Sequence, residues 1–149
     1  MNMIAAEPID PVALLAAFTR AAVGAGAIAS FTGLVRSDDG AVSELWLDHH
    51  PVLTDQVINQ IAEAARARFE VSEVHITHRV GAVAAGEPIV FVAAAARHRR
   101  AAFEAVDYLM DRLKTDAPLW KREQRGDKVM WIEARTGDHD DRARWEKMP

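Results

Sequence analysis

Two lysines on either side of a proline are the first feature of this sequence that could carry chemistry. Residues 114–123 read KTDAPLWKRE, with Lys114 and Lys121 flanking Pro118. Lys114 falls at the end of a predicted helix and Lys121 in the strand that follows, and the proline favours a tight connection. Both ammonium groups could then reach one site, bind an anion and transfer protons. A helix-terminal lysine followed by a solvated strand lysine explains the same spacing, so both interpretations stay open.

A run of basic residues forms the second candidate site. Arg97, His98, Arg99 and Arg100 lie where a predicted buried strand leads into a predicted helix. The free backbone N–H groups at the start of a helix attract anions, and arginine and histidine bind phosphate through charge-assisted hydrogen bonds. The run is therefore consistent with a phosphate site, although a solvated basic turn would have the same composition.

The third candidate is an arginine at the end of a strand. Residues 31–36 read FTGLVR, which places Arg36 where a predicted buried strand ends. Gly33 in this strand would permit the close approach of a ligand or of another backbone. Strand ends often carry arginine, so the pattern indicates a site only in combination with the other two.

The sequence favours neither a metal site nor a bound cofactor. His75 and His78 are three residues apart in a predicted strand, which directs their side chains to opposite faces. The glycines between residues 81 and 86 lack the lysine of a phosphate-binding loop and the spacing of a dinucleotide fingerprint. Because the chain has no cysteine, any sulfur chemistry requires sulfur that another molecule supplies.

Length, composition and charge limit the class of protein. The 149 residues are 50% hydrophobic and 27% charged, so we expect a single globular domain over residues 1–149, with flexible ends at 1–9 and 138–149. A net charge of −4 with local basic clusters suits a small anion better than nucleic acid. A small RNA-binding domain is an alternative, and it predicts an affinity for RNA that falls steeply with salt.

Without a long apolar run or a secretory signal, we expect a cytoplasmic protein with no membrane contact.

Alternating helices and strands must position these residues. Asp10 and Pro11 predict a helix start, because an N-cap oxygen precedes a proline at the first helical position. The strands at 27–35 and 42–49 should pair as antiparallel neighbours. In the helix at 99–113 the inward residues should be Phe103, Val106, Leu109, Met110 and Leu113. Further segments are a helix from about 54 to 69, strands at 74–80 and 89–95, a loop at 81–88, and a hairpin after 118. This order predicts an α+β fold with a mainly antiparallel sheet and an appended hairpin.

Several short stretches, taken in order, resemble the molybdopterin synthase catalytic (large) subunit family. Each stretch alone is a modest indication, but their recurrence in one order over residues 27–135 is specific. The stretches are Phe31-Thr32-Gly33 with Val35-Arg36, Leu47-Asp48-His49, His78-Arg79-Val80-Gly81, Ile89-Val90-Phe91-Val92, His98-Arg99, Ala102-Phe103-Glu104-Ala105, Leu113-Lys114-Thr115, Ala117-Pro118, Trp120-Lys121-Arg122-Glu123 and Trp131-Ile132-Glu133-Ala134-Arg135.

The resemblance implies a fold, a reaction and partners. The fold would be α/β hammerhead-like, with packed helices and an added small antiparallel β subdomain. Two copies would form a homodimer within a heterotetramer, and a ubiquitin-like small subunit would dock at each end. The thiocarboxylate at that partner's C-terminus would supply sulfur to cyclic pyranopterin monophosphate and form the dithiolene of molybdopterin. The activity implied is that of a sulfurtransferase without a cofactor.

The resemblance also assigns roles to the candidate residues. Lys114 and Lys121 match the two catalytic lysines of the family, and we expect Lys114 to be the main acid, base or electrostatic group, assisted by Lys121. Arg135 falls near an arginine that reaches into the neighbouring subunit's pocket. The other matched positions line the pterin and phosphate pocket, and they are Phe31, Arg36, His98 and Arg99.

The chain also departs from the family pattern. Leu34 stands where relatives often have lysine, His50 replaces a common tyrosine, and Asp116 occupies a place where a basic or neutral residue is frequent. These differences leave every matched catalytic position intact but could change substrate affinity or partner docking. The main alternative is therefore a non-catalytic module of the same fold that binds a pterin or a ubiquitin-like partner.

Overall fold

The computed structural model describes residues 2–147, which form four helices and two four-stranded sheets. This arrangement confirms the α+β class. In chain order, the elements are β1 (Asn2–Ala5), α1 (Pro11–Ala21), β2 (Ala27–Leu34), β3 (Glu44–His49), α2 (Leu53–Phe69), β4 (Val71–Arg79), β5 (Gly81–Ala84), β6 (Pro88–Ala96), α3 (Arg99–Asp116), β7 (Leu119–Arg125), β8 (Lys128–Ile132) and α4 (Thr136–Lys147).

The first sheet has the strand order β1-β4-β6-β2 and is antiparallel except for the β1–β4 pair. Its central strand β6 reads PIVFVAAAA and is buried along almost its whole length, because helices cover both of its faces. On one face Phe91, Ala93 and Ala95 pack against Phe18 of α1. On the other face Val90, Val92 and Ala94 belong to the main core, together with buried residues of α2 and α3.

Helix α1 begins where its sequence indicates, whereas one packing prediction for α3 is wrong. The Asp10 carboxylate accepts hydrogen bonds from the backbone N–H groups of Val12 and Ala13, at 3.0 and 3.1 Å, and so caps α1 as predicted. The prediction that Phe103 points inward is wrong, since this residue is 66% exposed. The buried stripe of α3 follows helical spacing from Ala102, and Phe103 lies about 100° away from that stripe. The stripe comprises Ala102, Ala105, Val106, Leu109 and Leu113.

The second sheet has the order β5-β3-β7-β8, and it corrects two sequence expectations. β3 does not pair with β2 but lies between β5 and β7. The connection between β2 and β3 is not a tight hairpin, because residues 35–43 separate the two strands; within it Asp38 and Asp39 adopt positive φ. Residues 81–84, expected in a loop, form β5, in which Val83 is fully buried opposite Leu45.

Both ends that were expected to be flexible contain regular structure. Residues 2–5 add β1 in parallel to β4, and residues 136–147 form α4. Trp145 anchors α4: its ring is 5% exposed, and its Nε1–H donates to Asp111 at 2.7 Å. The rings of Phe69 and Tyr108 pack edge-on against Trp145, with centroids 5.5 and 5.6 Å away. The expectation for residues 1, 148 and 149 lies outside the described residues.

None of the helices described over residues 2–147 has the length and apolarity needed to cross a membrane.

Candidate active site

A pocket lies where the two sheets meet the C-terminal end of α3. It has a volume of about 700 Å³. Four parts of the chain form its walls: the end of β2, the last turns of α3, one face of β7 and the segment from 132 to 138. Its floor includes His78 of β4 and Val90 of β6.

The structure brings Lys114 and Lys121 into this one pocket. Lys114 lies in the last turn of α3 and Lys121 on β7, opposite Leu47 of β3. The connection between them is fixed, because the buried hydroxyl of Thr54 donates to the Pro118 carbonyl at 2.9 Å. The short link around the proline therefore brings both lysines to the same pocket, which is one of the two arrangements that the spacing left open.

The environment of Lys121 changes its acidity. Burial lowers the pKa of Lys121 below its usual value, and the positive charge of Lys114 lowers it further, while the Asp138 carboxylate partly opposes both effects. A lysine with a lowered pKa gives up its proton more readily near neutral pH. Lys121 is thus suited to proton transfer.

The end of β2 forms a second wall of the pocket. Phe31 is 41% exposed and presents its ring to the pocket, and Arg36 follows the strand end. Gly33 allows this arrangement, because a Cβ atom there would lie only 2.7 Å from Val90 Cγ1 and 3.3 Å from Phe31 Cε1. Glycine at this position therefore keeps β2 close to β6 and leaves room for the aromatic ring.

Arg135 lines the pocket of its own chain. Its backbone N–H donates to the Asp138 carboxylate at 2.9 Å, which closes the first turn of α4 and holds this segment against the pocket. The resemblance had associated the position with a neighbouring subunit's pocket, whereas within one chain it faces the same cavity as the two lysines.

His98 and Arg99 are not brought to the pocket. Both residues are exposed at the N-terminal end of α3, whereas Lys114 lies near its C-terminal end. Fifteen residue steps along the helix correspond to about 22 Å. Within a single chain, the predicted phosphate-binding pair and the lysine pair are therefore far apart.

Several pocket residues were not anticipated from the sequence. The face of β7 that carries Lys121 also carries Glu123 and Arg125, as the two-residue alternation of a strand requires, and this alternation could have revealed them. Arg125 donates to Glu123 at 2.7 Å and to Asp38 at 2.6 Å, so its charge is already compensated. Asp138 enters the pocket only because α4 folds back, which no local pattern indicates.

A metal-binding cluster is not found in the described part of the chain: between residues 2 and 147, no three His, Asp or Glu side chains are placed to hold a metal ion. His75 and His78 lie on opposite faces of β4. His75 contacts Phe18 and Phe91, whereas His78 lines the pocket.

The sequence and the fold both match known proteins. A family model described as MoaE protein matches residues 4–116, about three quarters of the chain. The chain belongs to the MoaE protein family. It is 48% identical over 141 residues to the molybdopterin synthase catalytic subunit of Caulobacter vibrioides, with 95% of this chain and 94% of that protein covered.

Solved structures of MoaE family members share the fold. The molybdopterin biosynthesis MoaE protein from Burkholderia ambifaria superposes with a TM-score of 0.83 at 37% identity, over 97% of each chain. Molybdopterin synthase from Staphylococcus aureus gives a TM-score of 0.77 at 26% identity, over 87% of this chain and 94% of that one. The family model ends before β7, but the Caulobacter alignment spans 95% of the chain and therefore includes Lys121 and Arg135.

Proposed function

We propose that this MoaE family member transfers sulfur to cyclic pyranopterin monophosphate and so forms the dithiolene of molybdopterin. The sulfur would come from the thiocarboxylated C-terminus of a ubiquitin-like small subunit. The observation that carries the proposal is the meeting of Lys114 and Lys121 in one pocket with Arg36 and Arg135.

The charges of the pocket suit this substrate and this sulfur donor. Both the substrate phosphate and a thiocarboxylate are anions. Among the described residues, Arg36, Lys114, Lys121 and Arg135 line the pocket without a carboxylate within ion-pair distance, whereas Arg125 is held by Glu123 and Asp38. Four available cations in a partly enclosed site would bind anions and stabilise the negative charge that develops during transfer.

The absence of cysteine defines what the chain contributes to the reaction. Its sequence contains no thiol that could carry sulfur covalently. The thiocarboxylate sulfur would therefore bond directly to a substrate carbon and displace an oxygen leaving group. Water would then cleave the bond between this sulfur and the partner's carbonyl carbon, which leaves the partner with a carboxylate. The side chains of the pocket bind, orient and exchange protons.

The two lysines would have different roles in the reaction. Lys121, with its lowered pKa, would donate a proton to an oxygen leaving group and later recover one. Lys114 lies at the exposed end of α3 and would supply a fixed positive charge near the incoming thiocarboxylate. This assignment gives the proton-transfer role to Lys121, whereas the sequence had favoured Lys114.

A homodimer would explain the position of His98 and Arg99. A distance of about 22 Å along α3 is too long for one small substrate to reach both ends of the same helix. If these residues bind the substrate phosphate, they must act in the pocket of a second copy. This arrangement fits the homodimer within a heterotetramer that the resemblance implies.

The proposal is tested by reconstituting the reaction. Purified chain, thiocarboxylated small subunit and cyclic pyranopterin monophosphate should give molybdopterin, detected as its fluorescent oxidised derivative. Lys114→Ala should abolish product, whereas Lys128→Ala, at an exposed site in β8, should not. A folded wild-type chain that binds the small subunit but gives no product would instead support a non-catalytic binding module.

A further inference from the structure

His78 is a buried histidine in the floor of the pocket for which the reaction proposed above has no role. It lies near the end of β4, pairs with Val90 of β6 and is 5% exposed. The ring is nonetheless part of the pocket lining, beside the two lysines. Its location makes contact with a bound substrate possible.

The hydrogen bond at Nδ1 identifies the protonation state of the ring. Nδ1 lies 2.8 Å from the backbone carbonyl oxygen of Arg79. A carbonyl oxygen can only accept, so Nδ1 must carry a hydrogen and donate it. In the neutral ring, Nε2 then keeps its lone pair and is an acceptor. Within residues 2–147, no group donates a hydrogen bond to Nε2.

The surroundings keep this ring neutral. Burial lowers the pKa of His78 to about 4; the hydrogen bond to Arg79 opposes this shift, and the charges of Lys121 and Lys114 add to it. At physiological pH the histidine is therefore uncharged, and the lone pair on Nε2 is available.

The rest of the pocket lacks a comparable group in its floor. Besides the two lysines, the lining includes apolar residues: Val90, which pairs with His78, and Met110 and Leu113 of α3. The cationic side chains of the pocket can only donate hydrogen bonds. Other acceptor side chains belong to the walls: Thr32 lies on β2, the carboxylates of Glu133 and Asp138 lie in the segment from 132 to 138, and those of Asp38 and Glu123 already accept hydrogen bonds from Arg125. A flat heterocycle with N–H groups at its edge would find an apolar surface and one neutral acceptor there.

We propose that His78 is a substrate-binding residue whose Nε2 accepts a hydrogen bond from a ring N–H or an exocyclic amine of the heterocycle. The cations at the pocket wall would bind the phosphate, and His78 would set the orientation of the ring system. This inference rests on the proposed function, because that function supplies a heterocyclic substrate with such donors.

Two substitutions separate a substrate contact from a structural role. His78→Asn places an amide N–H near the position of Nδ1, so it preserves the bond to Arg79 and removes the acceptor at Nε2. His78→Gln extends its amide towards the position of Nε2 and gives up the bond to Arg79. His75→Asn is the matched control, since His75 lies on the same strand but faces Phe18 and Phe91.

In the reconstituted reaction, His78→Asn should raise the KM for cyclic pyranopterin monophosphate roughly tenfold, the size expected for one lost hydrogen bond, with a smaller change in kcat. The KM of His78→Gln should remain closer to the wild-type value, and His75→Asn should leave KM unchanged. A wild-type KM for His78→Asn, or a larger defect in His78→Gln, would show that the histidine only supports the backbone.

A measurement on the wild-type chain avoids any effect of substitution on folding. With ¹⁵N-labelled histidine, addition of cyclic pyranopterin monophosphate should shift the Nε2 resonance of His78 towards that of a hydrogen-bonded acceptor. An unchanged resonance at saturating substrate would overturn the inference. Because this titration reports binding and not turnover, its result is distinct from the reconstitution: a wild-type chain that makes no product contradicts the proposed function itself.

Discussion

At the scale of single residues, the lysine pair shows what the sequence could predict about the site. The spacing of Lys114 and Lys121 around Pro118 allowed both side chains to reach one site but did not decide against a solvated strand lysine. The tertiary structure places both in one pocket. The acidity of Lys121 was not predictable, since it depends on burial between elements that are distant in sequence. The same limit applies to His78, whose role follows from the tertiary pocket and not from its neighbours along the chain.

Conservative exchanges should distinguish the roles of the two lysines. Lys121→Arg keeps the charge but cannot release a proton near neutral pH, so kcat should fall by roughly 10²–10⁴-fold with little change in KM. Lys114→Arg keeps the fixed charge and should retain much of the wild-type kcat. Steady-state kinetics of both variants provide the measurement, and Lys128→Arg is the control. Equal losses of kcat in the two variants would contradict this assignment of different roles to the two lysines.

The buried histidine should make stability depend on pH. The folded pKa of His78 is lowered to about 4 from its ordinary value of 6.5, so below pH 6.5 the unfolded chain binds a proton that the folded chain does not. Folded-state stability is therefore lost as the pH falls from 6.5 towards 4, by about 2–3 kcal/mol at pH 4.5 for this one group. His75, which is less buried, should contribute in the same direction.

Urea denaturation at pH 7 and pH 4.5 would measure this effect. Wild-type chain should lose more free energy of unfolding between the two pH values than His78→Asn, which has no titrating group at the position. If both proteins lose the same amount, His78 does not titrate as its burial indicates.

At the scale of elements, local capping and periodicity were predictable and strand partners were not. Asp10 with Pro11 gave the start of α1, because an N-cap acts within a few residues. β3, by contrast, lies beside β5 and β7 because Leu45, Leu47 and Val83 bury together. Pairing of this kind depends on which distant segments share a core, which alternation within one strand does not specify.

Helix α4 should contribute to both stability and the pocket. Trp145→Ala would leave a cavity beside Phe69 and Tyr108 and should reduce the free energy of unfolding by about 3–5 kcal/mol. Trp145→Phe keeps most of the packing but loses the hydrogen bond to Asp111, at a cost of about 1–2 kcal/mol. Urea unfolding at pH 7 would measure both, and a loss below 1 kcal/mol for the alanine variant would show that α4 is not anchored.

At the scale of the whole molecule, the proposed reaction would use the two ends of α3 from two different chains. The predicted phosphate-binding pair and the lysine pair lie at opposite ends of one helix, so a single chain does not contain the whole set of candidate residues in one pocket. The sequence predicted the members of this set through resemblance, but it could not show how they divide between copies, because their separation depends on the rigid helix between them.

Mixing two inactive variants should restore activity if the site is shared. In an equal mixture of Arg99→Ala and Lys114→Ala chains, half of the dimers are mixed, and each mixed dimer has one intact site, so about one quarter of wild-type activity should return. The control mixture, Lys114→Ala with Lys121→Ala, affects two residues that line the pocket of the same chain, so no mixed dimer has an intact site and the mixture should stay inactive. No recovery in the first mixture would show that Arg99 does not act in the pocket of a second copy.

Helix α3 has a further consequence for how this protein can evolve. It runs without interruption from Arg99 to Asp116, and each residue advances the chain by about 1.5 Å and rotates it by about 100°. Substitutions on its outer face, such as at Phe103, leave these relations unchanged. A single inserted or deleted residue would turn Lys114 away from the pocket and alter the span to Arg99. The length of this helix should therefore be held constant across generations, even where its surface sequence drifts freely.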